Sequence, residues 1–216
     1  MSASLVGSEM CIRDSIYISQ VYDGEMKRIV LKDQYGPISV YLLPFLKPAA
    51  VRHALQRDDI NTYEEGVMAA LQECEIDTSQ RNVLVAHQFV TGADRSDSEE
   101  TWVGGLDNVS AEVFKDFDYV ALGYRHMPGV LVENQMAYAG SPEPLCLEEA
   151  GTHGVVYGEI TEDEQGQYHT QITLVPCACR SYIPLSLRIH SGTTQAALEQ
   201  KVQDAIAQKG SEDIYW

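Results

Sequence analysis

Two histidines follow apolar segments at similar positions. His87 closes residues 83–87 (VLVAH), and His126 comes three residues after residues 119–123 (YVALG). In α/β sheets, ligands and catalytic groups gather at the carboxyl ends of strands, so both side chains can meet at one sheet edge. Neutral imidazole is a ligand for Mn, Fe or Zn. The pair predicts a metal site, although a single histidine of this kind is more often structural than a ligand.

Carboxylates are the other ligands that such a site requires, because they are the preferred partners of Mn and Mg. The polar stretch that follows His87 is predicted to be a surface loop, whose acidic side chains are expected to serve solvation: Asp94, Asp97, Glu99 and Glu100. Asp107, in the turn GGLDN, is better placed, and turn chemistry is the alternative role for it.

Other nucleophiles in the chain have weaker signals. Ser141 lies in a Gly-Ser-Pro segment, and because no Gly-x-Ser-x-Gly elbow surrounds it, a structural turn is the favoured interpretation. The cysteines form no disulfide framework and no CxxC pair, so they are expected to be reduced thiols with structural roles. They are Cys11, Cys74, Cys146, Cys177 and Cys179.

The elements that must position these residues form a mixed α/β pattern. β-rich runs on both sides of a Gly-Pro turn predict a hairpin, and Thr62 is a helix cap with acidic residues following it. Residues 45–49 are interpreted as a loop. Helices are predicted over residues 63–74, 110–117 and 193–207, and strands over residues 27–32, 38–43, 82–86, 118–122, 130–132, 136–138, 155–160 and 169–175.

The charge balance restricts the possible partners. Fifteen Lys and Arg face 32 Asp and Glu, a net charge of −17, which opposes unassisted binding to a polyanion. Basic residues cluster only at Lys47, Arg52, His53 and Arg57. Any nucleic-acid binding would therefore need metal ions or another subunit to supply positive charge.

No apolar run approaches the ~20 residues of a membrane span, so a cytoplasmic protein without a membrane partner is expected.

Five short segments together resemble the SbcD-type nuclease subunits of the calcineurin-like metallophosphoesterase superfamily. The similarity runs over residues 16–216, and none of the segments would be decisive alone. They are residues 41–48 (YLLPFLKP), 82–89 (NVLVAHQF), 104–108 (GGLDN), 117–123 (FDYVALG) and 138–142 (YAGSP).

The resemblance implies a site for two Mn²⁺ (or Mg²⁺) ions, which clamp the scissile phosphate while a bridging water attacks in line. His87 matches the fourth family motif and His126 the last histidine of the fifth, Gly-His-x-His, so both carry over as metal ligands. Tyr124 stands where that motif has a histidine. A phenol, with its pKa near ~10, is a poor neutral ligand, and this departure puts the second metal in doubt. Arg125 and Ser141 are candidates for the substrate rim.

The first three family motifs, Asp-x-His, Gly-Asp-x-x-Asp and Gly-Asn-His-Asp, do not occur in the chain. Residues 1–15 resemble translated adapter-type read-through and are expected to be a non-native or disordered leader. Residues 16–176 are expected to be the C-terminal half of a metallophosphoesterase β-sandwich flanked by helices. Residues 177–216 are expected to begin a small α+β capping domain. The chain is therefore interpreted as a truncated piece that is inactive by itself.

The resemblance also implies partners for the intact protein. It would be a DNA exonuclease and endonuclease that forms a homodimer within a heterotetramer with an SbcC-type ATPase and processes double-stranded DNA ends and hairpins. Two alternatives stay open: another calcineurin-like phosphodiesterase that acts on small phosphodiesters, and a degenerate, non-catalytic interaction module with a phosphoesterase fold.

Overall fold

A computed structural model of the chain describes residues 16–90, 108–177, 182–183, 185–209 and 214–215. Strands β1 (Lys27–Asp33) and β2 (Gly36–Leu43) form the predicted antiparallel hairpin. Gly36, at the end of its turn, has a φ of 113°. A positive φ of this kind strains residues that carry a Cβ, which explains a glycine at this position.

A six-stranded sheet organises the chain, and the fold is mixed α/β. The further strands are β3 (Arg81–His87), β6 (Tyr119–Gly123), β7 (Gly129–Val132) and β8 (Met136–Tyr138), in the order β1-β2-β3-β6-β8-β7. The four central strands β2, β3, β6 and β8 are parallel, so their carboxyl ends lie along the same side of the sheet, called here its carboxyl edge. Two short strands, β4 (Phe89–Val90) and β5 (Asn108–Val109), pair outside this sheet.

Two helices connect the hairpin to β3. The loop predicted over residues 45–49 is wrong in its second half, because helix α1 (Pro48–Leu55) begins there, with proline at the N-terminal position where its missing N–H costs nothing. Helix α2 (Tyr63–Gln72) begins at Thr62, whose hydroxyl accepts from the Glu65 N–H in a capping box.

The apolar face of α2 differs from the one that the sequence pattern predicts. Val67 is fully buried as expected, but Met68 is 42% exposed, while Ala69 and Ala70 are buried in its place. Small residues allow α2 to lie close to its neighbours, so the long methionine side chain is left at the helix surface.

The remaining described elements agree with the prediction in part, and the short strand Tyr182–Ile183 was not predicted. A 3₁₀ turn (Ala111–Phe114) is capped by Ser110, where a helix to residue 117 was predicted. A long hairpin of β9 (Gly154–Glu162) and β10 (Tyr168–Pro176) comes next. The last elements are β11 (Tyr182–Ile183), α3 (Gln195–Lys209) and β12 (Ile214–Tyr215). No helix in the described ranges is long and apolar enough to cross a membrane.

The two faces of the sheet differ in burial. One face carries the main core, in which Tyr41, Leu84, Val120 and Met136 occupy one row of neighbouring strands and are all fully buried. The other face is apolar but partly open, since Val85 is 42% exposed in the middle of the sheet. An exposed apolar sheet face favours association with another surface.

We expect Val85→Thr to reduce self-association of the chain, because the hydroxyl makes the centre of the open face more polar while the branched shape is kept. Sedimentation velocity at increasing protein concentration measures this. Val175→Thr, on β10, is the matched control, since Val175 is exposed to nearly the same extent (43%) but lies in a different sheet. Equal effects of the two substitutions would contradict a specific role of the open face.

Candidate metal centre

The pairing of β3 with β6 places His87 beside the last residue of the neighbouring strand. His87 lies opposite Gly123 in the parallel register, at the carboxyl edge of the sheet. A Cβ added to Gly123 would lie 2.9 Å from Nδ1 of His87, so the imidazole rests directly against the glycine backbone. Gly123, which precedes the loop of His126, therefore makes room for the ring of His87.

A buried tyrosine fixes the turn that follows His87. The Tyr138 hydroxyl donates to the Gln88 carbonyl at 2.9 Å and accepts from the Val90 N–H at 2.8 Å. Tyr138 is the last residue of β8, so this pair of hydrogen bonds connects the carboxyl ends of β3 and β8. The amide of Gln88 is fully buried, and its Oε1 has no hydrogen-bond partner among the described residues.

The loop that carries His126 is held by the segment after β8. The Ser141 N–H donates to the His126 carbonyl at 2.7 Å. Gly140, with φ of 73°, approaches so closely that an added Cβ would lie 2.7 Å from the same carbonyl oxygen and from the Pro128 nitrogen. Only glycine fits this contact, which explains the Gly-Ser order of the segment.

A buried carboxylate contacts the His126 ring. Oε1 of Glu149 lies 2.7 Å from Nδ1 of His126, and Oε2 accepts from the Leu145 N–H at 2.8 Å. His153, also buried, contacts the Glu149 carbonyl through Nε2 at 2.7 Å and the Ser141 carbonyl through Nδ1 at 2.8 Å. Sequence reasoning missed both residues. The one available signal is an acidic pair, Glu148–Glu149, that reads as an ordinary solvated turn.

Burial and charge keep the His87 ring neutral. Partial burial lowers the pKa of His87 below its ordinary value of 6.5, and the neighbouring His126 lowers it further through charge repulsion. His126 thus disfavours protonation of His87 from the loop that follows the neighbouring strand. A neutral imidazole is the form that ligates a metal.

Tyr124 lies in an aromatic cluster rather than in solvent. Its ring centroid is 5.6 Å from that of His87, 5.8 Å from Phe89 and 6.1 Å from Phe45. Its φ is 105°, a conformation that is strained for a residue with a Cβ and that occurs at functional sites. The structure thus places Tyr124 beside His87, the first predicted ligand.

The rim candidates make contacts of their own. The Arg125 guanidinium lies over the Tyr138 ring at 5.5 Å, and its Nε is buried without a hydrogen-bond partner among the described residues. The Ser141 hydroxyl donates to the Glu143 carbonyl at 2.6 Å, in keeping with a turn. The acidic candidates, Asp94, Asp97, Glu99, Glu100 and Asp107, lie outside the described residues.

The donor set suits part of a metal site. His87 and His126 offer two imidazoles at one edge, but the described ranges contain no group of three or more His, Cys, Asp or Glu placed to hold a metal ion. Two nitrogen donors fit one incomplete coordination shell and are too few for two cations. No protein-family model matches the chain.

We expect Gly123→Ala to displace the His87 ring, because the added methyl group would overlap Nδ1. Overpacking of this kind costs about 1–3 kcal/mol of the free energy of unfolding, which denaturant titration measures. Gly158→Ala is the matched control, since a Cβ on this strand glycine meets its nearest neighbour, the Tyr119 ring, at 3.8 Å. If the two variants lose equal stability, the close contact with His87 is not the cause.

We expect the pKa of His87, measured by NMR titration, to lie below 6.5 and to rise in His126→Gln, where the repulsion is removed and burial persists. Between the lowered pKa and 6.5 the unfolded chain binds more protons than the folded chain. The free energy of unfolding therefore decreases as the pH falls through this window and is unaffected by His87 above it. A His87 pKa unchanged by His126→Gln would contradict the coupling of the two rings.

Proposed function

We propose that the chain is a part of an SbcD-like, metal-dependent nuclease subunit of the calcineurin-like metallophosphoesterase superfamily. The observation that carries this proposal is that His87 ends β3 opposite Gly123 of the parallel strand β6, while His126 follows Gly123 by three residues and lowers the pKa of His87 through charge repulsion. In the proposed function these residues are two ligands of a site for Mn²⁺ or Mg²⁺, and further ligands come from outside the described residues.

The chemistry of the described residues supports hydrolysis of a phosphodiester. Bound divalent cations supply Lewis-acid activation of the phosphate and of water. His87, kept neutral by burial, offers a nitrogen lone pair at physiological pH. His126 is oriented by Glu149, and the Arg125 guanidinium at the rim adds a positive charge within the same loop.

Double-stranded DNA ends and hairpins are the proposed substrate, with an SbcC-type ATPase as the partner of a homodimeric nuclease subunit in the cytoplasm. The charge of the chain supports a dependence of DNA binding on cations or a partner subunit. Arg57 is paired with Asp59 at 2.7 Å, and the Arg52 guanidinium donates to the Ile60 carbonyl, so much of the early basic cluster is occupied by contacts within the chain. Positive field from cations or a partner subunit is therefore needed at a DNA backbone.

Tyr124 favours a second candidate, a degenerate phosphoesterase-fold module that binds a partner without catalysis. Its phenol replaces an imidazole donor and its ring packs among Phe45, His87 and Phe89.

The third candidate, a phosphodiesterase for small substrates, shares the predicted metal ligands, and assays on DNA and on small phosphodiesters separate it from the nuclease.

We expect the 216-residue chain alone to bind Mn²⁺ weakly and to cleave no DNA, because its described residues offer only two imidazole donors at this edge. Isothermal titration measures binding, and a nuclease assay with Mn²⁺ measures cleavage. His87→Ala and His126→Ala should each weaken Mn²⁺ binding. His169→Ala, in the exposed β9–β10 hairpin, is the control and should leave it unchanged.

Three outcomes separate the candidates. Mn²⁺ binding that neither His87→Ala nor His126→Ala changes would contradict the predicted ligand pair. Robust Mn²⁺-dependent cleavage that His87→Ala abolishes would overturn the expectation that the chain is inactive alone. A version of the chain can be made that also carries the three family motifs absent from its sequence. Binding of fewer than two Mn²⁺ by that version would favour the degenerate module.

A further inference from the structure

We propose that Glu149 is a positioning residue that fixes both the orientation and the tautomer of the His126 ring, so that Nε2 of His126 carries the lone pair offered to a cation. This inference rests on the proposed function, because the lone pair matters only if a cation binds. It concerns a residue of this chain that lies outside the predicted ligand set.

The first support is the hydrogen bond to the ring. Oε1 of Glu149 lies 2.7 Å from Nδ1 of His126, and the Glu149 side chain is 0% exposed while that of His126 is 31% exposed. In its ionised form the Glu149 carboxylate only accepts hydrogen bonds, and Nδ1 is then the nitrogen that carries the hydrogen. In the neutral ring the lone pair is then on Nε2. Carboxylates that hold metal-binding histidines in this way orient the ring and raise its basicity.

The second support is that the carboxylate itself is fixed. Oε2 of Glu149 accepts from the Leu145 N–H, which leaves the carboxylate little freedom to rotate. The Glu149 carbonyl and the Ser141 carbonyl bracket the buried ring of His153, which is 1% exposed, at 2.7 and 2.8 Å. The Ser141 hydroxyl also lies 3.3 Å from Nδ1 of His153, so this ring connects both ends of the segment that holds Glu149.

The third support is that the contacts return to the His126 backbone. Ser141 accepts from His153 through its carbonyl and donates through its N–H to the His126 carbonyl. The ring and the backbone of His126 are thus held by the same segment, residues 140–153. A glutamate that only stabilised this segment would need no contact with the ring, whereas this one contacts the ring with one oxygen and the segment with the other.

The test compares Glu149→Gln with Asp163→Asn in the full 216-residue chain. The glutamine keeps the size of the side chain, but its amide can donate or accept at Nδ1 and therefore no longer imposes one tautomer. Asp163 is the matched control, because its Oδ2 lies 2.7 Å from Nε2 of His169 in an exposed hairpin far along the chain from His126.

Long-range ¹H–¹⁵N NMR reads the tautomer of His126, assigned by the loss of its signals in His126→Gln, and titration with Mn²⁺ alone measures affinity. We expect the Nδ1–H tautomer in the wild type and a mixture of tautomers in Glu149→Gln. The Mn²⁺ affinity of Glu149→Gln should be lower by about 10- to 100-fold. Asp163→Asn should change neither quantity.

Several results would overturn the inference. One is a wild-type His126 that carries its hydrogen on Nε2, which is decisive even if Glu149→Gln fails to fold. Another is a folded Glu149→Gln variant that keeps the wild-type tautomer. If the wild-type chain binds no Mn²⁺ but the tautomer changes as expected, the positioning role stands and the proposed function fails, so the two can be told apart.

Discussion

The parallel pairing of β3 with β6, with His87 opposite Gly123, is the constraint on which the rest of the candidate centre depends. Side chains alternate between the two faces of a strand, so a shift of one residue in this register would move every side chain of β3 relative to its neighbours. The core row through Leu84 and Val120 prevents such a shift, because both side chains are fully buried on the same face. Core packing and site geometry are therefore determined by one register.

The two histidines are held by different kinds of interaction. His87 is positioned by packing, against the Gly123 backbone and edge-on to the Phe45 ring at 6.1 Å. His126 is positioned by hydrogen bonds, through a buried carboxylate and its own carbonyl group. Partial desolvation lowers the pKa of His87 and so favours its neutral form, whereas a carboxylate that accepts from Nδ1 makes a ring a stronger electron donor. One edge of the sheet thus presents two imidazoles with different electrostatic properties.

Local signals explain which parts of the fold could be predicted from sequence. Strands β3 and β6 are short apolar runs that end in His87 and Gly123, and α2 begins at a capping box around Thr62, so the residues themselves indicate the boundaries. Helix α1 departs from the predicted loop because proline favours loops but is also common at the first position of a helix, where Pro48 lies. The exposure of Met68 was missed because periodicity alone does not report where small residues permit close packing.

The candidate site was only partly predictable for a related reason. The strand ends that carry His87 and His126 follow from the pattern of apolar runs. Glu149 does not, since it contacts a residue 23 positions earlier in the chain and its neighbours resemble an ordinary acidic turn. The sequence drew attention to Tyr124 only through a resemblance, and its strained backbone and aromatic neighbours depend on tertiary contacts.

The contact between His126 and Glu149 has a consequence for the order of events during synthesis. β3 can pair with the β1–β2 hairpin as soon as residues up to 87 are available, but the Gly123 backbone against which the His87 ring packs arrives only with β6. The ring of His126 lacks its carboxylate partner until residues up to 149 have emerged and folded back onto its loop. The His87 ring therefore gains its packing partner once β6 has formed, and the His126 ring gains its carboxylate contact only later, when residues 140–153 have folded back.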